Sequence, residues 1–519
     1  MPSFPDTTGR PSDATVDTPL LTKGHRTDNA ADLDTDSASI PSYTSASAPP
    51  DDGEDARVEQ QQQQQQHHRD KEKPLPTFQI LLLCYARLME PIAFYSIFPY
   101  IAQMVQRNAH VADADVGFYS GAIESLFSMA QMAVMMLWSS LANRFGRKPM
   151  LVYSLVGMAV GPALFGMATT LWQMILFRCL TGVFSSADLI IRTMVGEHCT
   201  TQTQARAFSW YSFASNMGVL VGPIVGGALA DPASQYPSVF GGIEFFDRYA
   251  YALPGFVVAA IGVTGAVSSA VFLDETLQKS SSSSSLVQQR VPEQASTWQL
   301  IKGPGVAIVL FIYGQVMLLS YAFVALLPIA LYTSVDLGGM GCSPSEITIY
   351  MTIQGGSEAL WLLIVFPLLQ RRIGTKGVLA VCAVAFPLFF AGYIVINALL
   401  RQQEGHGHHM GVLTWVVGCI VAFVGPGVWM AFTGVQLAIN KVSPNPRALG
   451  TLNAVAESCS GIVRSFVPGL STSIFAVGVR EQILLGYLAW VVLIVLSVVL
   501  ILCLRWLPSE MFRDEKQRL

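Results

Sequence analysis

The feature that most constrains this chain is a repeat of apolar runs, each about 20 residues or longer, parted by short polar loops. A bilayer core roughly 30 Å thick demands runs of about that length from any helix that crosses it. They fall at residues 78–105, 117–142, 150–169, 171–195, 205–231, 250–273, 302–332, 345–370, 376–400, 411–440, 447–478 and 481–507. Six precede and six follow a polar stretch, Asp274 to Gln299. Only 13% of the 519 residues are charged and 52% are hydrophobic. A soluble chain would carry about a quarter charged residues. The expected fold class is an all-α membrane protein of twelve transmembrane helices in two six-helix halves.

Residues 1–75 differ in kind. They are polar and acidic, carry a glutamine run from Gln60 to Gln66, and cannot build a core. The expected organisation is a tail over 1–75, a first bundle over 76–273, a linker over 274–300, a second bundle over 301–507 and a short tail over 508–519. The serine run Ser280 to Ser285 reads as flexible linker. The opening MPSFPDTTGR has no apolar core, so the first span is expected to direct insertion. Seven of the eight cysteines fall in or beside apolar runs and only Cys342 in an outer loop, so no disulfide framework is expected.

An even span count puts both termini on one side. Loops of that side hold Arg144, Arg147, Lys148, Arg206, Arg371, Arg372, Lys376, Lys441 and Arg447, against Arg107, Arg248, Arg401 and Arg480 opposite. The bias predicts cytoplasmic termini.

The halves also resemble one another. LANRFGRKPML from Leu141 has a counterpart in LQRRIGTKGVL from Leu369, pairing Arg144 with Arg372, Gly146 with Gly374 and Lys148 with Lys376. Pro99 and Pro328 sit at similar offsets in spans 1 and 7, and RAF at Arg206 echoes RAL at Arg447. Duplicated six-helix halves are an arrangement of secondary transporters, with the site at the midplane between them.

Several motifs carry a family resemblance. The 2–3 loop supplies Leu141, Ala142, Arg144, Gly146, Arg147, Lys148 and Leu151 of the pattern G-x-L-A-D-R-x-G-R-[RK]-x-x-L, with Ser139 and Asn143 in place of its first glycine and its aspartate. It resembles motif A of the major facilitator superfamily. Arg178 and Gly182 resemble the core of motif B, and Gly218, Gly222, Pro223, Gly226 and Gly227 match the antiporter motif C. FLDET, Phe272 to Thr276, is similar to the ending common after span 6. The resemblance covers 78–507 and is nearest the fungal twelve-span drug:proton antiporters, close to the zinc-induced-facilitator-like group. It implies the major facilitator fold, an efflux direction and proton coupling.

By the same resemblance, motif A implies a gating latch. Its cations would hold helix ends and carboxylates, with Asn143 accepting a hydrogen bond from Arg147 and Glu197 replacing the missing charge. Motif C glycines at four-residue spacing let a neighbouring helix approach, and Pro223 can kink the span.

Ionisable groups inside spans are costly and count as functional candidates. Arg87 and Glu90 lie three apart, and Asp188 and Arg192 four apart, so each pair is expected to neutralise itself. Glu457 and Arg464 share a face of span 11, while Arg178, Glu124 and Glu358 have no partner nearby in sequence. Glu90, Glu124, Glu358, Glu457 and Asp188 are the candidate proton carriers, since desolvation raises a carboxyl's proton affinity. Phe94, Tyr95, Gln354, Trp361, Trp429, Gln436 and Arg464 are candidates to line a cavity for an amphipathic organic molecule. His406, His408 and His409 lack acidic or cysteine companions in their loop, so no metal site is assigned.

The expected function is secondary active transport, as proton-coupled export of a drug, secondary metabolite or secreted glycolipid. Competing readings are transport of a nutrient, organic acid or metal chelate, and a non-transporting membrane sensor. The partners are a small-molecule substrate, protons and the lipid bilayer, with no nucleic acid and no cofactor. The chain is expected to work as a monomer in the plasma membrane, the vacuolar membrane being the other option. No Gly-Lys dipeptide occurs, so a P-loop pump is excluded, and nothing points to an enzyme.

Overall fold

A computed structural model describes residues 76–199, 203–277, 300–303, 305–404, 412–443 and 446–507. The first 75 residues, most of the serine-rich stretch, the His406–His409 tract and the last 12 lie outside that set. The described residues are helical, with no strand among them.

Among the described residues, ten helices are long and apolar enough to cross a membrane, and Leu488–Leu504 is a shorter eleventh. One of the ten, Pro344–Gln403, is 60 residues long and holds two spans, which gives twelve. The join is a kink at Gly374, where φ is 71°. Its counterpart Gly146 has φ 116° and separates span 2, Val116–Phe145, from span 3, Arg147–Gly166. Positive φ is the region open to glycine and strained for other residues, so the duplicated glycines do the same backbone task in both halves.

Local sequence explains several helix starts. Thr170 and Gln173 form a reciprocal capping box at the start of span 4, and Ser343 and Glu346 form another at span 8. Pro344 occupies the first turn of span 8, where its missing N–H costs nothing.

Three spans expected as continuous helices are interrupted. Span 1 is Thr77–Tyr95 followed by Phe98–Ala109, broken just ahead of Pro99. Proline disfavours helical backbone before it and cannot donate to the preceding turn. Pro328 is accommodated within the unbroken Val306–Tyr332 of span 7, so the matched offset does not produce matched breaks. Span 4 is Leu171–Phe184 followed by Ala187–His198, parted at Ser185 and Ser186. Span 10 passes through a π-helical turn, Ile420–Val424, and a tight turn, Gly425–Trp429, around Pro426.

Each half has its own apolar core. In the first, Leu83, Met89, Leu155, Ile191 and Val258 meet. In the second, an aromatic cluster joins spans 7, 9, 10 and 12: Tyr393 stacks on Trp490 at 4.6 Å, and Phe323 lies 5.4 Å from Trp429. Trp429, a cavity candidate, is only 5% exposed and packs within this cluster.

The halves meet mostly at the end bearing loop 1–2. There Gly121 lies against Thr472 and Pro468, Gly227 against Thr348, and the Gly469 N–H donates to Ser125 Oγ at 2.7 Å. Tyr332 of span 7 also donates to Gln106 of span 1. Toward the loop 2–3 end, Arg192 and Glu457 reach across at 3.7 Å, both about half exposed.

Candidate functional site

The broken helices create the site. At the gap in span 4 the Ser185 carbonyl is freed from the helix ladder and accepts from Gln131 Nε2 of span 2 at 2.6 Å. The same amide donates to Glu90 Oε1 at 2.8 Å, and the Ser185 hydroxyl donates there at 3.1 Å. Gln131 Oε1 accepts from Arg464 of span 11, so one side chain joins the Glu90 carboxylate to a cation of the other half. Irregular backbone that lines a polar site is the form in which such breaks are tolerated within a membrane.

Arg87 is shared. It meets Glu90 at 3.1 Å and Asp188 at 3.2 Å, donates to Ser215 at 3.1 Å, and lies over the Tyr211 ring. Asp188 also meets Arg192 at 3.4 Å, whose Nε donates to Tyr211.

A second pair lies apart. Arg178 and Glu124 meet at 3.0 Å, with side chains 2% and 5% exposed. Arg178 also points at the Ala93 and Phe94 carbonyls, which end the first segment of span 1, and lies 4.2 Å from the Phe127 ring centroid. A cation at a helix C-terminus is favoured by the partial negative charge there. Arg178 and Glu124, neither of which has a sequence neighbour to pair with, are therefore each other's partner.

At the loop 2–3 end, Arg147 Nη2 meets Glu197 Oε1 at 3.3 Å. Glu275, just past span 6, accepts from the backbone N–H groups of Arg147 and Lys148 at 2.9 and 3.1 Å. It thereby caps the start of span 3, a favourable place for a carboxylate. Asn143 is exposed and its side chain makes no hydrogen bond among the described residues, so the expected contact with Arg147 is not made. Its side chain leaves the last turn of span 2 toward solvent while Arg147 sits beyond the Gly146 turn.

The motif C glycines press span 5, Gln204–Leu229, against two neighbours. A Cβ on Gly218 would lie 2.4 Å from Pro91, on Gly222 2.9 Å from Tyr95, and on Gly226 1.7 Å from the Ser96 carbonyl, all in span 1. Gly227 faces Thr348 of span 8 instead, across the halves. Pro223 lies inside an uninterrupted helix. Gly182 of motif B admits the Phe127 carbonyl of span 2.

The sequence signature of the Major Facilitator Superfamily matches residues 83–468. The chain belongs to that superfamily. It is 39% identical over 447 residues to efflux pump azaK of Aspergillus niger, with 85% of this chain and 90% of the relative covered. Protein Zinc Induced Facilitator 1 of Arabidopsis thaliana is 23% identical, with 77% and 84% covered. The crystal structure of a bacterial homologue of the human lysosomal transporter Spinster shares the fold, with a TM-score of 0.62, 14% identity, and 85% and 98% covered. This major facilitator protein is a multi-pass membrane transporter and not an enzyme.

Of the residues singled out in sequence, Glu90, Asp188, Glu457 and Arg464 converge where the halves meet. Glu457 and Arg464 share a helix face but do not pair; they reach Arg192 and Gln131 of the other half. Trp361 stands on a π-helical turn and donates to the Phe423 carbonyl at 2.8 Å, while Gln436 bonds Asn453 at 3.2 Å. Phe94 packs at 5.4 to 5.5 Å from Phe98 and Phe127. Tyr95 and Met351 of span 8 pack on one cluster that bridges the halves. Sequence reasoning missed Gln131 and Glu275. Gln131 was discoverable as an amide stranded in an apolar run, and Glu275 as the one glutamate of the FLDET ending.

Proposed function

We propose that this transporter exports a small amphipathic organic molecule in exchange for protons, with Glu90 as the proton carrier. The observation that carries the reading is the bridge from Glu90 through Gln131 to Arg464. While Glu90 is ionised, it fixes the amide of Gln131 so that Oε1 faces Arg464. Protonation weakens the charge-assisted bonds on Glu90. Arg87 stays compensated because Asp188 still holds it. Gln131 is then free to turn, and the contact between halves loosens. A proton thus biases one arrangement of the halves over the other, as coupling requires. The export direction draws support from the 39% identity to an efflux pump.

In this reading both termini are cytoplasmic, the protein is a monomer of the plasma membrane, and the molecule described here opens toward the cytoplasm. The motif A contacts to Glu197 and Glu275 lie within the first half, leaving Arg144 exposed and without an ion pair among the described residues. That cation is the part of the latch available to engage the second half when the opening closes. Arg147→Ala is expected to lower transport roughly tenfold, about 1.4 kcal/mol, at unchanged membrane abundance. Unaltered transport by that variant would remove Arg147 from the latch.

The coupling test uses inverted vesicles with an imposed proton gradient. A protonophore should abolish substrate movement, and Glu90→Gln should abolish gradient-driven movement while substrate exchange persists. Protonophore-resistant movement by the natural protein would replace antiport with facilitated diffusion. Gradient-driven movement by Glu90→Gln would place the proton elsewhere.

A further inference from the structure

Five carboxylates stand well within the spans, and four of them meet an arginine. Glu90 and Asp188 share Arg87, Glu124 has Arg178, and Glu457 has Arg192. Glu358 is the exception. Among the described residues no hydrogen bond or ion pair reaches its side chain. One turn earlier on span 8, Gln354 is 8% exposed and its Oε1 is buried without a hydrogen-bond partner. Both are acceptors stacked one helical turn apart.

The register of span 8 shows where Glu358 points. Thr348 meets Gly227 of span 5, and a Cβ on Gly355 would lie 3.7 Å from Leu220 of the same span. Met351 packs in the cluster that contains Tyr95. Steps of three and four residues from 348 through 351 and 355 lead to 358, so Glu358 is next on the face turned to the first half. Tyr95 is also within electrostatic reach of Glu358, consistent with that direction. Glu358 therefore stands just below the level where the halves are tightly joined, on the side of Tyr95.

An ionised carboxylate in a span is costly unless a positive charge compensates it. Among the described residues no side chain does so, and the neighbouring amide oxygen also lacks a donor. An ammonium group offers a positive charge and several N–H donors, and no acceptor. It satisfies both residues at once through charge-assisted bonds. We propose that Glu358 and Gln354 bind the ammonium group of the transported molecule, which makes the substrate an amphipathic organic amine. This rests on the transport reading above and assigns Glu358 to the substrate, while the proton stays with Glu90.

The test is binding to the purified full chain in detergent, read by quenching of tryptophan fluorescence, with phenylbutylamine and its N-acetyl derivative as probes. The two differ chiefly in the charge and donors of one nitrogen. The natural protein should bind the amine about tenfold or more tightly than the amide. Glu358→Gln should erase that preference, Glu358→Asp should keep most of it, and Gln354→Leu should reduce it several-fold. Retention of the preference by a monodisperse Glu358→Gln protein would overturn the assignment. So would a natural protein that binds the amine no better than the amide, including one that binds neither. Binding in detergent involves no gradient, so a failure of proton coupling leaves this result intact. Loss of amine preference, in turn, leaves gradient-driven export of neutral amphiphiles untouched.

Discussion

Arg178→Met is expected to lower the unfolding temperature of the purified protein more than any other substitution of a charged residue. The change keeps much of the side-chain length but leaves the Glu124 carboxylate, 5% exposed, without its cation. Glu124 Oε2 has no hydrogen bond even with Arg178 present, so no other group is ready to take over. The Ala93 and Phe94 carbonyls lose a donor and the Phe127 ring loses its cation at the same time. Breaking a buried pair from one side costs roughly 3–5 kcal/mol, whereas replacing both partners with apolar groups is often neutral. The double variant Arg178→Met with Glu124→Leu should therefore recover most of the lost stability. Thermal unfolding in detergent separates the cases. A single variant that unfolds at the natural temperature would show that the pair holds nothing together.

The second large effect belongs to Gly226. A methyl group there would stand 1.7 Å from the Ser96 carbonyl oxygen and 2.6 Å from its carbon. Both are backbone atoms, set at the break between the two segments of span 1. They cannot swing aside as a side chain would, so spans 1 and 5 must part along their length. Gly226→Ala should cost at least the upper part of the roughly 1–3 kcal/mol typical of overpacking. The monodisperse fraction on size exclusion should fall accordingly. Gly227→Ala meets Thr348 Oγ1 at 1.5 Å instead, an obstruction made of side-chain atoms. It should impair closure at the loop 1–2 end and be relieved by Thr348→Gly. A well-behaved Gly226→Ala protein would mean that span 5 does not need its close approach to span 1.

The spans were legible because each is an apolar run of membrane length, and the duplicated loops were legible because Gly146 and Gly374 solve the same backbone problem. Pairing within one helix was legible too: Arg87 with Glu90, and Asp188 with Arg192, follow from spacings of three and four. Pairing between helices was not. Arg178 and Glu124 are 54 positions apart, and Glu275 lies 128 positions from the N–H it caps, with no periodicity to connect them. The burial of Trp429 was not legible for another reason. Span 10 is apolar on nearly every face, so composition does not say which face turns to the core. The breaks in spans 1 and 4 were hidden because Ser96, Ser185 and Ser186 interrupt an apolar run too briefly to lower it.

The duplicated loops are held in different ways. In the first half a side chain, that of Glu275, reaches the start of span 3. In the second, Lys376 Nζ donates to the main-chain carbonyl of Leu507, just past span 12, at 2.7 Å. A mutational survey will therefore find the acceptor of this contact, Glu275, in the first half but only the donor, Lys376, in the second, since no side-chain replacement removes a carbonyl. The constraint there falls on chain position, so a reporter joined to the C-terminus must leave the last turn of span 12 in place or it will unfasten loop 8–9.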